Sequence, residues 1–336
     1  MRLALAPWGE NIDEMCSAAL AAEAGGFESV WTSELTRTAF IPAAAMAAAT
    51  STIQVGSAIA LAFVRSPMIT ALSALDMDDL SGGRFVLGLG TGVRRLNEDW
   101  HGAEFGKPGP HLRETIEVVR RFIAESHKGG ELAFEGEYHR VRVRGFERPF
   151  PQKRTEIPIY IASVGPVLTR LAGEVAEGWI AHELGSPGYL RDHTLPELKK
   201  GLSRGGRSPS DITVMVSALC VPHPDSNEAK RRAAGLVAFY ATVRTYQDFF
   251  QAHGFEDETN EIQKRFREGD IKKTIEACPP EMVDALTLSG TPDEIRRRMS
   301  QYEGLADVVK LSPPTHFVPT EVTREAQQGI LEMFSE

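Results

Sequence analysis

Short apolar runs alternate with helix-patterned segments along almost the whole chain, and that alternation leaves few folds open. The runs are Arg2–Ala6, Ser29–Thr32, Ile53–Leu61, the run inside Leu80–Val93, Ile157–Ser163, Gly178–His182, Ile212–Val221 and Asp307–Leu311. Between them, apolar residues recur at helical spacing, as in Ile12, Met15, Cys16 and Ala19, or Leu112, Ile116, Val119 and Ile123. Parallel neighbours need a crossover, usually a helix, so this order predicts a parallel sheet. Ile53–Leu61 is nearly continuously apolar, as a strand covered on both faces is. An open doubly wound sheet and a closed barrel both satisfy the pattern. Eight strand candidates favour the closed form, an α/β fold of the (β/α)8 TIM-barrel class with insertions.

The expected helices include Pro42–Thr50, Pro67–Leu80, His111–Ser126, Pro292–Tyr302 and Glu321–Phe334, with a hairpin at Leu132–Phe134 and Tyr138–Val143. Residues 1–336 read as one domain carrying a mostly helical, polar insertion around 225–290, suited to a lid or an oligomer contact. No apolar run is long enough to span a bilayer. Met1 runs straight into a strand-like segment with no cleavable leader, so a cytoplasmic address is expected. The formal charge of −9 argues against nucleic acid as partner. Cys16, Cys220 and Cys278 are odd in number and far apart, which suits reduced packing residues rather than a disulfide framework or a zinc site.

In a barrel of this class the site gathers at the carboxyl ends of the strands. That rule selects Trp8, Glu34, Ala58–Ile59, Gly90-Thr91-Gly92-Val93, Ser163-Val164-Gly165-Pro166-Val167, His182 and His223. Gly88, Gly90 and Gly92 lack side chains on alternate positions and either let backbone approach a ligand or only close a turn. Gly165-Pro166 opens a helix, whose free amides and dipole favour a phosphate, with Ser163 as an added hydroxyl donor. Glu34 and His182 are either solvated strand ends or groups facing a ligand. Arg65, Arg94 and Arg95 are either a basic rim for an anionic tail or ordinary surface residues.

Other chemistries fail on spacing. Val93 stands where the dinucleotide fingerprint needs its third glycine. No P-loop, His-Glu-x-x-His or Gly-x-Ser-x-Gly pattern occurs, and no metal site is expected.

The segments Glu23-Ala24-Gly25-Gly26-Phe27, Trp31-Thr32-Ser33-Glu34, Arg65-Ser66-Pro67, Leu80–Gly92, Pro158–Pro166, Gly178-Trp179-Ile180, Gly290–Glu294 and Asp307–Pro313 follow one another in a telling order. In that order the chain resembles the luciferase-like flavin and deazaflavin oxidoreductases, bacterial luciferase-like barrels, over nearly its whole length. The likeness is greatest to the branch dependent on coenzyme F420, a deazaflavin with a phosphate and an oligoglutamate tail. The resemblance implies an enzyme that moves a hydride between F420 and a small organic substrate, without nucleic acid or membrane, as a homodimer. An FMN-dependent monooxygenase and a catalytically silent cofactor-binding barrel are the alternatives. It further implies a non-proline cis peptide at Ala58–Ile59 behind the cofactor ring, with Gly90–Val93 along the ring or its polar chain. The phosphate would lie on the amides of Ser163–Val167, and Glu34 beside the reacting ring. Some deazaflavin relatives place a catalytic His directly after that acid, where this chain has Leu35, so proton transfer would fall to Glu34 or His182.

Overall fold

A computed structural model describes residues 1–334. The chain packs as two compact units. One comprises Glu28–Ile180 and Glu197–Thr213; the other comprises Met1–Phe27, Ala181–Pro196 and the chain from Val214 onward.

The first unit holds five parallel strands in spatial sequence: β2 (Ser29–Thr32), β3 (Gln54–Ser57), β4 (Phe85–Gly90), β5 (Ile159–Ala162) and β6 (Gly178–Ile180). Their register sets Trp31 beside Gly56, Val55 beside Phe85, Leu87 beside Ile159 and Ile161 beside Trp179. The second unit holds β1 (Arg2–Leu5), β7 (Thr213–Pro222) and β8 (Val308–Ser312), also parallel, with β8 between the other two. The short strand Leu288–Gly290 pairs in parallel with the carboxyl end of β7, at Cys220–Pro222. These eight strands and their crossover helices are those of a (β/α)8 barrel, the expected class. Among the described residues no helix is long and apolar enough to cross a membrane.

The third strand is interrupted at the peptide where the resemblance places a cis bond. Pairing stops at Ser57, the Ala58–Ile59 peptide is cis, and a separate two-residue strand, Ala60–Leu61, resumes against Leu89 and Gly90 of β4. The whole run is apolar, so hydropathy alone cannot show this break. The second helix begins at Phe40 rather than Pro42, leaving the proline in a first turn where its missing N–H has no intrahelical partner to lose.

The insertion is helical as expected, with helices Ser226–Thr242, Gln247–Ala252, Glu256–Arg267, Ile271–Glu276 and Pro280–Leu286. It is not simply polar. Leu236, Val237, Phe250, Ile262 and Met282 bury themselves with Leu219 and Val221 of β7 in one apolar cluster. All three cysteines are free. Burial pushes the Cys278 thiol up to about 12, so it packs as a small apolar group.

Arg84, just before β4, closes the carboxyl end of the Phe40–Ala49 helix. Its guanidinium donates to the carbonyls of Ala47 (2.8 Å), Thr50 (3.0 Å), Ile53 (2.6 Å) and Ser81 (2.7 Å). A cation there satisfies orphan carbonyls and meets the negative end of the dipole. Replacing Arg84 with Met should leave these carbonyls without that donor and cost about 2–3 kcal/mol, measured as a lowered midpoint in urea unfolding.

Candidate functional site

Glu34 lies two residues beyond β2 and is bound on every side. Its backbone amide donates to the Ile59 carbonyl (3.1 Å). One carboxylate oxygen accepts from the Leu61 amide (2.9 Å) and from Arg65 Nη1 (2.7 Å). The other accepts from Arg65 Nη2 and from the Ala39 amide (3.4 Å). Burial pushes this carboxyl up, but the Arg65 guanidinium and the two amides outweigh it and hold the group below its ordinary range. Glu34 is therefore a fixed carboxylate with no proton to give. It clamps the chain on either side of Ala60, directly after the cis peptide.

That pairing also bears on the alternative left open for the arginines. Arg65 is spent on Glu34 and lies over the Phe40 ring at 5.3 Å. Arg94 pairs with Glu98 (2.5 Å) and donates to the Gly106 carbonyl (3.1 Å). Exposed Arg95 faces Asp99 at 3.6 Å. Each arginine has its own carboxylate, so their positions give no argument for an anionic tail.

The glycines of β4 admit this chain's own atoms. A Cβ on Gly88 would lie 1.7 Å from the Ser57 carbonyl oxygen, and one on Gly90 would lie 2.9 Å from the Ile59 side chain. The Ser57 hydroxyl donates to the Gly88 carbonyl (2.8 Å) and accepts from the Gly88 amide (3.0 Å). Space that the sequence offered to a ligand is thus filled by the broken third strand. Gly92 is needed for its left-handed backbone, with φ of +61°. Thr91 spends its hydroxyl on the Gly92 carbonyl (3.1 Å), while fully buried Asn97 donates to the carbonyls of Thr91 (2.8 Å) and Val93 (3.0 Å). Asn97 Oδ1 has no hydrogen-bond partner. Sequence reasoning missed Asn97, which ties down Gly90–Val93 from four to seven residues downstream.

After β5 the chain turns at Ser163 into the helix Pro166–Val175. Trp179 Nε1 donates to Ser163 Oγ (2.8 Å), Ser163 Oγ lies 2.8 Å from Thr169 Oγ1, and Thr169 donates to the Gly165 carbonyl (2.9 Å). With the Thr169 proton committed to Gly165, the Ser163 proton goes to Thr169. Ser163 therefore anchors the corner and is not the free donor expected. The corner itself stays open: Gly165 caps the helix without a side chain, and Gly165, Pro166 and Val167 are exposed. The first-turn amides of Val167 and Leu168 have no intrahelical acceptor, which makes an anion cradle.

In the other unit, His182 follows β6 and lies among rings supplied by the insertion. Tyr246 is 4.4 Å and Tyr240 4.6 Å from it between centroids, with Phe249 at 6.4 Å. Burial lowers its pKa to about 4, helped by Lys310 and opposed by Glu183. The Leu184 amide donates to His182 Nδ1 (3.3 Å), so the neutral ring carries its proton on Nε2. Tyr240 donates to Glu183 Oε2 (3.2 Å), and Lys310 Nζ lies 4.0 Å from Glu183 Oε1. Sequence reasoning passed over Glu183, Tyr240, Tyr246 and Lys310. The lysine left a signal, a charge inside the apolar run Val308–Leu311.

Two further strand-end residues are structural. Trp8 exchanges backbone hydrogen bonds with the Gln327 amide (2.7 and 3.0 Å), and His223 accepts from the Asp225 amide (3.0 Å) at a helix start.

The model of the luciferase-like monooxygenase family matches residues 3–307. An uncharacterized protein of Mycobacterium tuberculosis is 32% identical over 87% of this chain and 87% of its own. Another protein of that organism, named "Putative coenzyme F420-dependent oxidoreductase", is 29% identical over 90% of this chain and 91% of its own. Among solved structures, the coenzyme F420-dependent tetrahydromethanopterin reductase of Methanopyrus kandleri superposes with a TM-score of 0.84 at 22% identity, covering 99% of each chain.

The Glu34 pair makes a testable link to pH. A carboxyl held below its unfolded value adds stability that is complete above the ordinary carboxylate range and is lost as pH falls through the folded value. Replacing Glu34 with Gln strands the Arg65 charge and should cost about 3 kcal/mol at neutral pH. The gap between variant and native protein should narrow in acid, as followed by urea unfolding across the acid range.

Proposed function

We propose, since the chain belongs to the luciferase-like monooxygenase family, that it is an oxidoreductase moving a hydride between coenzyme F420 and a small organic substrate. The observation that carries this reading is the helix start at Gly165–Leu168 without a side-chain cap, backbone amides at the end of β5 suited to a phosphate. The choice of F420 rests on the relative of that name, 29% identical over 90% of this chain.

When bound, the deazaflavin would supply or accept the hydride, and the protein supplies position and proton control. The amides of Gly165, Val167 and Leu168 would hold the phosphate. Ala58–Ile59 would back the ring, its place kept by the Ser57–Gly88 pair beneath and the Glu34 clamp beyond. Gly90, Thr91, Gly92 and Val93, tied by Asn97, would border the ring or its polar chain. Glu34 is a positioning residue in this scheme. Proton handling falls to His182, whose Nε2–H can donate to an atom that gains electron density. A homodimer is part of the same proposal.

Two measurements test it. Titrating purified protein with F420 and with FMN, followed by cofactor fluorescence, should show tighter binding of F420; tighter binding of FMN would point instead to the monooxygenase reading. A Cβ on Gly165 meets no atom within 4 Å. Replacing Gly165 with Asp should therefore fold normally, cap the helix itself and hold or raise the melting temperature. The same variant should bind F420 about tenfold or more weakly, through a carboxylate set against the phosphate; unchanged affinity would place the phosphate elsewhere.

A further inference from the structure

Two polar side chains on β8 are buried, and one of them, Ser312, lacks a hydrogen-bond partner. Lys310 and Ser312 are two residues apart on one strand and so share a face. Lys310 is 5% and Ser312 4% exposed. Ser312 Oγ has no partner, and Lys310 Nζ faces Glu183 Oε1 at 4.0 Å, beyond hydrogen-bond reach. An orphaned hydroxyl and an under-bonded ammonium at the carboxyl end of a barrel strand are costly to keep, and such places call for an explanation.

Their surroundings say what fits. Glu183 faces Lys310 and accepts from Tyr240 (3.2 Å), which fixes it and balances the lysine charge. The cluster therefore has no spare positive charge for a carboxylate. It does have two donors, the Lys310 ammonium and the Ser312 hydroxyl, and the hydroxyl still lacks an acceptor. Flat walls stand nearby on the same unit: Tyr240 and Tyr246 against His182, and Phe239 stacked on His316 at 3.9 Å. Glu183 lies close enough to act electrostatically on His182, Tyr240, Tyr246 and His316 as well, so it is the hub of the group.

We infer that Lys310 and Ser312 form the subsite for a neutral carbonyl oxygen of the substrate, which is therefore a carbonyl compound with a flat, apolar body. The inference deepens the proposed oxidoreductase function and rests on it. The lysine ammonium and the serine hydroxyl each donate to the oxygen, and Glu183 keeps the lysine in place. Both are binding residues.

The test uses the full chain and two simple probes, acetophenone for a neutral aryl carbonyl and benzoate for its anionic counterpart, titrated by calorimetry or ligand-observed NMR. Acetophenone should bind saturably and more tightly than benzoate. Replacing Ser312 with Ala should weaken acetophenone about tenfold while leaving the melting temperature equal or higher, because an orphaned hydroxyl is removed. Lys310→Met should weaken it at least as much; if that variant fails to fold with Glu183 left unpaired, Ser312→Ala alone decides. Equal affinity in native protein and Ser312→Ala, tighter binding of benzoate, or no saturable binding of either probe would overturn the inference. A parallel F420 titration separates the two levels. Intact cofactor binding with unchanged acetophenone affinity sinks only this subsite, whereas loss of F420 binding in the native protein sinks the functional reading beneath it.

Discussion

The bidentate contact between Glu34 and Arg65 fixes the shape of the first unit's strand ends. Two planar, charged groups matched in geometry make a strong and directional hydrogen-bonded pair. The same carboxylate also takes the Leu61 amide, and the Glu34 backbone takes the Ile59 carbonyl. One side chain and its own backbone therefore bracket the point where the third strand breaks and restarts. The restarted piece pairs with Leu89 and Gly90, and its Ile59 side chain fills the space over Gly90. Remove the pair, and the chain between Ser57 and Leu61 keeps its bonds to β4 but loses its clamp to the end of β2.

This arrangement reassigns several residues without emptying the site. Glu34, Ser163 and the β4 glycines all read in sequence as groups that could meet a ligand. Each is instead occupied by the protein: Glu34 by Arg65 and amides, Ser163 by Trp179 and Thr169, Gly88 and Gly90 by Ser57 and Ile59. What remains open in the first unit is mostly backbone at Gly165–Leu168; the second unit, described by itself, has the His182 imidazole and the unpartnered Ser312 hydroxyl. Of the two titratable candidates, Glu34 is a fixed carboxylate and His182 a neutral imidazole.

How much of this was legible follows from what a sequence records. Parallel strands buried on both faces are runs of Val, Ile and Leu, so Phe85–Gly90, Ile159–Ala162 and Val308–Ser312 could be placed, and with them the barrel. The break at Ala58–Ile59 leaves no mark in hydropathy, and only resemblance to a family suggested it. Partners far apart in sequence were hidden: nothing at Glu34 points to Arg65, thirty-one residues on. The buried core of the insertion was hidden because Leu236, Phe250, Ile262 and Met282 are spread over four separate helices. Lys310 was visible all along as a charge within an apolar strand. A buried lysine has meaning only through its neighbours, and those come from Glu183 and the insertion.

The hydrogen-bond relay from Trp179 through Ser163 and Thr169 to the Gly165 carbonyl has a consequence for durability. It holds the open end of a helix with the buried side chains of Ser163, Thr169 and Trp179, and leaves peptide N–H groups as the donors at that end. Peptide groups do not titrate over the range in which proteins fold, and every residue except proline carries the same one. A group bound at such amides would keep its hold across changes of acidity and of surface sequence. The ionisable residues that would decide the chemistry stand on other strands, free to vary while the mooring stays the same.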